Sequence, residues 1–123
     1  MRIRSLALML FVLAPASYGA PTPAPVRAEI DTLLARMQSS GCTFYRNGEW
    51  FDAAKAKRHL LSKLRNVEKV TTLESTEAFI AVVATKSSAS GRPYQVRCVG
   101  AAAEPSAEWL TKELAATRSE AKR

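Results

Sequence analysis

A chain of 123 residues, 47% of them hydrophobic, with 18 basic and 11 acidic side chains, has room for one modest core and a single domain. Two cysteines, one histidine and no Cys-x-x-Cys spacing argue against a structural zinc site and a redox pair. The net charge of +7 favours anionic surfaces without naming a partner.

Arg2 and Arg4 precede an apolar run from Leu6 to Leu13, and small residues follow, which is the pattern of a secretory signal. The run is shorter than the roughly 20 residues that span a bilayer. Residues 1–19 are therefore expected to be a signal peptide cut after Ala16 or Gly19, with no transmembrane span remaining. Pro21 disfavours a cut after Ala20. Export places the mature chain in the periplasm, an oxidising compartment where nucleic acid is not an expected ligand. Residues 20–25 read as a stiff, proline-rich tether, and residues 26–123 as one α+β domain.

Val26, Ile30, Leu33, Leu34 and Met37 recur at three and four, predicting an amphipathic helix to Ser39 with Pro25 at its first turn. Gly41 can take the left-handed conformation that ends it. Cys42 to Arg46 alternates with period two, as a half-buried strand does. Asn47-Gly48 suits a type I′ turn, and Glu49, Trp50 and Phe51 return as a second, short strand. Asp52 offers an N-cap to a helix from Ala53, whose apolar face holds Ala56, Leu60, Leu64 and Val67. Its other faces carry five lysines and arginines. Lys55, His59 and Lys63 form one row at i, i+4 and i+8.

Residues 66–72 read as a loop with a short extended piece. Ser75-Thr76-Glu77 opens a third helix, apolar over more than half its circumference through Phe79, Ile80, Val82 and Val83, and so expected to be central. Ser87 to Gly91 is a polar loop of small residues. Arg92-Pro93 forces an extended entry to a third strand in which Tyr94, Val96 and Cys98 share a side. Residues 100–104 read as a small-residue linker, and Pro105-Ser106 opens a last helix bearing Trp109, Leu110 and Leu114. The expected fold is α+β: an antiparallel three-stranded sheet, hairpin plus one later strand, packed with about four helices.

In an oxidising compartment Cys42 and Cys98 are expected to form a disulfide worth roughly 4 kcal/mol in loop entropy. Cys42 opens the first strand and Cys98 closes the third, so a bridge and an antiparallel pairing of these strands predict each other.

The run Phe44-Tyr45-Arg46-Asn47-Gly48, then Ala56, His59-Leu60 and Lys63-Leu64, then Phe79-Ile80, then Ser87 to Tyr94, resembles the YfeK-like proteins. These are small exported proteins of Gram-negative bacteria, a domain of unknown function. The resemblance covers nearly all of the chain after the signal. It implies export and kinship of fold, and carries no activity over.

Two chemistries compete for the polar residues. Ser88 or Ser90 with His59 as base would make an envelope hydrolase, but no Gly-x-Ser-x-Gly or Ser-x-x-Lys pattern supports it. Binding is the better reading. Arg46, His59, Lys63, Ser88, Ser90, Gly91 and Tyr94 would receive an anionic or peptide group, small loop residues offering backbone N–H and the cations offering charge. The plainer account of the same residues is a tight turn held by serines, a half-buried His59 and a solvated Lys63. The expectation is thus a small periplasmic binding or accessory protein without enzymatic activity, cofactor or metal. Its partner would be an anionic envelope component or another periplasmic protein. The alternative is the hydrolase, or an inhibitor of an envelope enzyme.

Overall fold

Asn47 and Gly48 both take positive φ, 49° and 88°, which is the backbone a two-residue type I′ turn demands. That turn sets Arg46 against Glu49 and zips β1 (Thr43–Arg46) to β2 (Glu49–Asp52) in antiparallel register. The computed structural model describes residues 9–11 and 19–123; the basic and apolar segments of the expected signal peptide fall largely outside the described residues.

In chain order the elements are α1 (Ala24–Ser39), the β1–β2 hairpin, α2 (Ala53–Glu68), α3 (Thr76–Val83), β3 (Gln95–Arg97), β4 (Glu104–Pro105) and α4 (Ser106–Ala121). Local chemistry explains the boundaries. Asp52 accepts a hydrogen bond from the Lys55 amide at 2.8 Å, and Ser75 accepts one from the Ala78 amide at 3.1 Å, each satisfying an otherwise orphaned N–H of a helix start. α1 begins at Ala24, two residues earlier than periodicity places it, because Pro25 is tolerated in a first helical turn. Ahead of it, residues 19–22 lie against the end of α2: the Thr22 amide donates to Glu68 and the Ala20 amide to Thr72.

The sheet has four strands, ordered β2-β1-β3-β4 and antiparallel throughout, rather than the expected three. The additional strand pairs Glu104 with Val96 and Pro105 with Gln95. It takes the last residue of the expected linker and the proline expected to open the last helix, because two residues are too few to show a period and one is a proline, confined to sheet edges by its missing N–H. β1 sits between β2 and β3, the order the cysteines favour.

Register decides which side chains face inward. Phe44 pairs with Phe51 and Val96, and this face is covered mainly by α2 and α4. Ile30, Leu33, Leu34 and Met37 of α1, Leu64 of α2 and Phe79 and Val83 of α3 are fully buried behind it. α3 packs on the three other helices but is not enclosed: Val82 is 49% exposed, so its apolar circumference is wider than its buried face.

Cys42 and Cys98 are joined, with Cα atoms 4.2 Å apart. Thr43 pairs with Arg97, so the cysteines occupy the next opposed position along the same ladder, within the close spacing of a non-hydrogen-bonded pair. Replacing both by alanine is expected to lower stability by about 2–5 kcal/mol. Urea titrations of oxidised protein, reduced protein and the double variant will measure it, and matching midpoints in all three would show that the ladder holds without the bridge.

Candidate functional site

Two clefts meet at Tyr94, and Arg46 and His59 line both. The first, about 330 Å³, lies between the hairpin and the first half of α2. The second, about 400 Å³, lies between the later half of α2 and the loop that follows α3. Tyr94 is buried, its ring roughly perpendicular to that of His59 at 6.1 Å between centroids.

The helical row read from the sequence delivers two of its members to the Tyr94 hydroxyl. Lys63 Nζ donates to Tyr94 Oη at 3.3 Å and to the Lys86 carbonyl at 2.6 Å, and lies 5.1 Å above the tyrosine ring. His59 Nε2 is also 3.3 Å from Tyr94 Oη. Lysine can only donate, so the tyrosine oxygen accepts from Lys63 and turns its own O–H toward a neutral His59 Nε2. Lys55 diverges, lying over the Phe51 ring at 4.8 Å.

Charge and burial act together here. Burial pushes His59 below the ordinary imidazole value, and the positive charges of Arg46 and Lys63 push it further. Lys63 is lowered by burial first, then by Arg46 and Lys86. Tyr94 is raised by burial, with Arg46 partly opposing. Among the described residues no carboxylate forms an ion pair or hydrogen bond with Arg46, His59 or Lys63. Four of the acids are engaged elsewhere: Arg36 holds Glu113 and Glu120, and Arg118 holds Glu29 and Glu77.

The serine loop is tied mainly to itself. Ser87 is buried, and its Oγ accepts from the amides of Ala89 and Ser90 at 3.2 and 3.3 Å. Ser90 Oγ accepts from the Arg92 amide and donates to Asn47 Oδ1 at 2.5 Å, fastening the loop to the hairpin turn. The Gly91 amide donates to the Ser87 carbonyl at 2.9 Å, and Gly91 turns at φ 73°, where a side chain would be strained. These N–H groups are committed within the loop, so they form no open cradle. Of Ser88, Ser90 and Gly91, only Ser88 lines a cleft, the second. It shares that cleft with His59, yet His59 makes its side-chain contact with Tyr94 and none with a serine among the described residues.

Sequence reasoning places Ser87 in the polar loop without giving its side chain a role, and misses Ser106, which lines the first cleft. The spacing of Ser87 ahead of Ala89 and Ser90 is that of a local serine turn and could have marked it. Ser106 carries no such signal. Among the described residues there is no cluster of three or more potential metal ligands, and no helix is long and apolar enough to cross a membrane.

The family model described as "Family of unknown function (DUF5329)" matches residues 24–118. "Uncharacterized protein YfeK" of Salmonella typhimurium (strain LT2) is 35% identical over 88 residues, covering 72% of this chain and 69% of that protein. No solved structure matches the chain.

The lowered His59 carries a sign. The unfolded chain takes up a proton near the ordinary value of 6.5 and the folded protein resists it until lower pH, so this contribution to stability is full above about pH 6.5 and is lost as pH falls toward the folded value. Burial sets most of that resistance, and the positive charges of Arg46 and Lys63 add to it. His59→Gln is expected to lose less stability than the wild type between pH 7 and pH 5. Urea midpoints across that range give the comparison, and parallel curves for the two proteins would exclude His59 as the titrating group.

Proposed function

We propose, from the premise that this chain belongs to DUF5329, a family of unknown function, that it is a small disulfide-braced binding protein of the periplasm which receives an anionic group at Arg46, His59 and Lys63. The observation that carries this reading is the convergence of His59 and Lys63 on the Tyr94 hydroxyl, with Arg46 lining the same two clefts, without an acidic partner among the described residues. Partly buried cations that repel one another raise the free energy of the empty site, and an anion placed among them offsets that cost. Perturbed titration in a cleft is a mark of functional sites.

Localisation rests on two supports. The signal-like pattern from Arg2 to Leu13 favours export, and the Cys42–Cys98 bridge fits an oxidising compartment. Residues 1–19 are assigned as the leader and 26–123 as the binding domain, with 20–25 between them. Ser88 fits as a neutral group at the edge of the second cleft, and Ser90 and Gly91 as the turn that holds it. A hydrolase has less to recommend it, since His59 engages a tyrosine rather than a serine.

The test is titration of the protein with inorganic phosphate, followed by calorimetry and by NMR of the His59 ring. A hydrogen bond to a charged group is worth about 1.5–3 kcal/mol, so Lys63→Ala is expected to weaken binding by about tenfold or more. A folded Arg46→Ala/His59→Ala/Lys63→Ala variant should lose it altogether. Equal binding by wild type and the triple variant would defeat the assignment.

A further inference from the structure

The two ends of the first cleft differ in chemistry. At its outer end stand Arg46 and His59, with the exposed Lys55 and Arg58 at the rim. Its floor is apolar: Met37, Leu60, Ala84 and Leu110 are all buried, and Phe44 closes one side. At the inner end lies Ser106. This residue is only 4% exposed, and its Oγ has no hydrogen-bond partner among the described residues, although its amide donates to the Tyr94 carbonyl at 2.9 Å. A buried hydroxyl without a partner is costly, on the order of 1–3 kcal/mol, and uncommon enough to need a reason.

Tyr94 gives the cleft its axis. Ser106 sits at the root of this residue, bonded to its carbonyl, while His59 and Lys63 sit at its hydroxyl tip. Cationic and hydrogen-bonding ends are therefore separated by the length of a tyrosine side chain, with apolar surface between. At about 30 Å³ per water-sized group, the volume of about 330 Å³ takes roughly a dozen heavy atoms. A peptide is a poor occupant, because each residue brings a backbone donor and acceptor and the floor supplies no partners for them. An alkyl or aryl body loses nothing there.

We infer that the first cleft binds an amphipathic carboxylate of about a dozen heavy atoms, its acidic head at Arg46 and His59, where Lys63 reaches the same tyrosine hydroxyl from the second cleft, its apolar body along Tyr94 and a remote hydrogen-bonding group on Ser106. This rests on the anion-binding reading given above and names the ligand class for that site. The head satisfies the unpaired cations, the body fills the apolar stretch, and the remote group satisfies the serine.

Calorimetric titration with acetate, octanoate, ω-hydroxyoctanoate, octylammonium and inorganic phosphate separates the terms. Octanoate is expected to bind at least tenfold more tightly than acetate, with octylammonium not binding. ω-Hydroxyoctanoate should exceed octanoate by several-fold, and Ser106→Ala should abolish that excess. Because Ser106→Ala removes a buried hydroxyl without a partner, its urea midpoint should not fall, which keeps the comparison free of folding effects. Ala56→Leu, which fills the wall, should weaken octanoate and spare phosphate. If acetate and octanoate bind alike while phosphate binds, the inference fails and the anion site stands. If octanoate binds the wild type and Ala56→Leu equally, the chain lies elsewhere and the inference again fails. If neither phosphate nor any carboxylate binds, both readings fall together.

Discussion

The antiparallel register between β1 and β3 is the constraint on which the rest depends. It pairs Thr43 with Arg97, Phe44 with Val96 and Tyr45 with Gln95. Carried one step outward it opposes Cys42 to Cys98, where the sulfurs join. Carried one step the other way, it sets Arg46 beside Tyr94 on the inward side of the sheet. One ladder therefore ends in a covalent brace and, at its other end, in the candidate site. A slip of one residue would turn Phe44 and Val96 outward, part the cysteines and send the Tyr94 ring away from α2. Closing the loop between the two strands by a bond restricts the unfolded chain and leaves few alternative pairings open.

The second organising fact is how charge is distributed. Carboxylates on α1, α3 and α4 find arginines across the helix contacts, as Glu29 and Glu77 do with Arg118 and Glu113 with Arg36. Such partly exposed pairs contribute little to stability, but they occupy the acids. α2 carries no acid between its Asp52 cap and Glu68, and the partners its lysines find among the described residues are aromatic rings and neutral oxygens. The positive field over the two clefts is a consequence of this sorting, and net charge alone would not have located it.

What the sequence made legible was what local chemistry determines. Asn47-Gly48, the Asp52 and Ser75 caps and the alternation around Phe44 and Val96 each act within a few residues, and each reads correctly. The bridge was legible for another reason: two cysteines and an expected oxidising compartment leave one pairing. The row of His59 and Lys63 followed from helical periodicity once the boundaries of α2 were set. Features made by distant segments stayed hidden. β4 exists because the chain turns back at Gly100 and lays Glu104 beside Val96, with too few residues to leave a period. The serine loop hid its internal division for a similar reason: Ser87 is the buried one and ties the start of the turn, Ser90 ties its end to the hairpin, and Ser88 is left at the cleft, a sorting by burial that their order does not reveal. Ser106 belongs to the first cleft only because β4 brings the start of α4 to the root of Tyr94.

Tyr94 shows how fold and site share one side chain while drawing on different atoms. Its ring is part of the core, packed where β3 meets α2, and its burial contributes to stability whatever the hydroxyl does. Its Oη emerges where Lys63 and His59 meet and supplies the neutral oxygen that holds a lysine ammonium and a neutral imidazole at one point. A phenylalanine there would keep the packing and leave Lys63 with the Lys86 carbonyl alone. The position of the cations is thus fixed by a residue that the hydrophobic core already holds still, so the site is set before any ligand arrives. Preorganisation of this kind lowers the ordering cost of binding, and it follows from the same strand register that opposes the two cysteines.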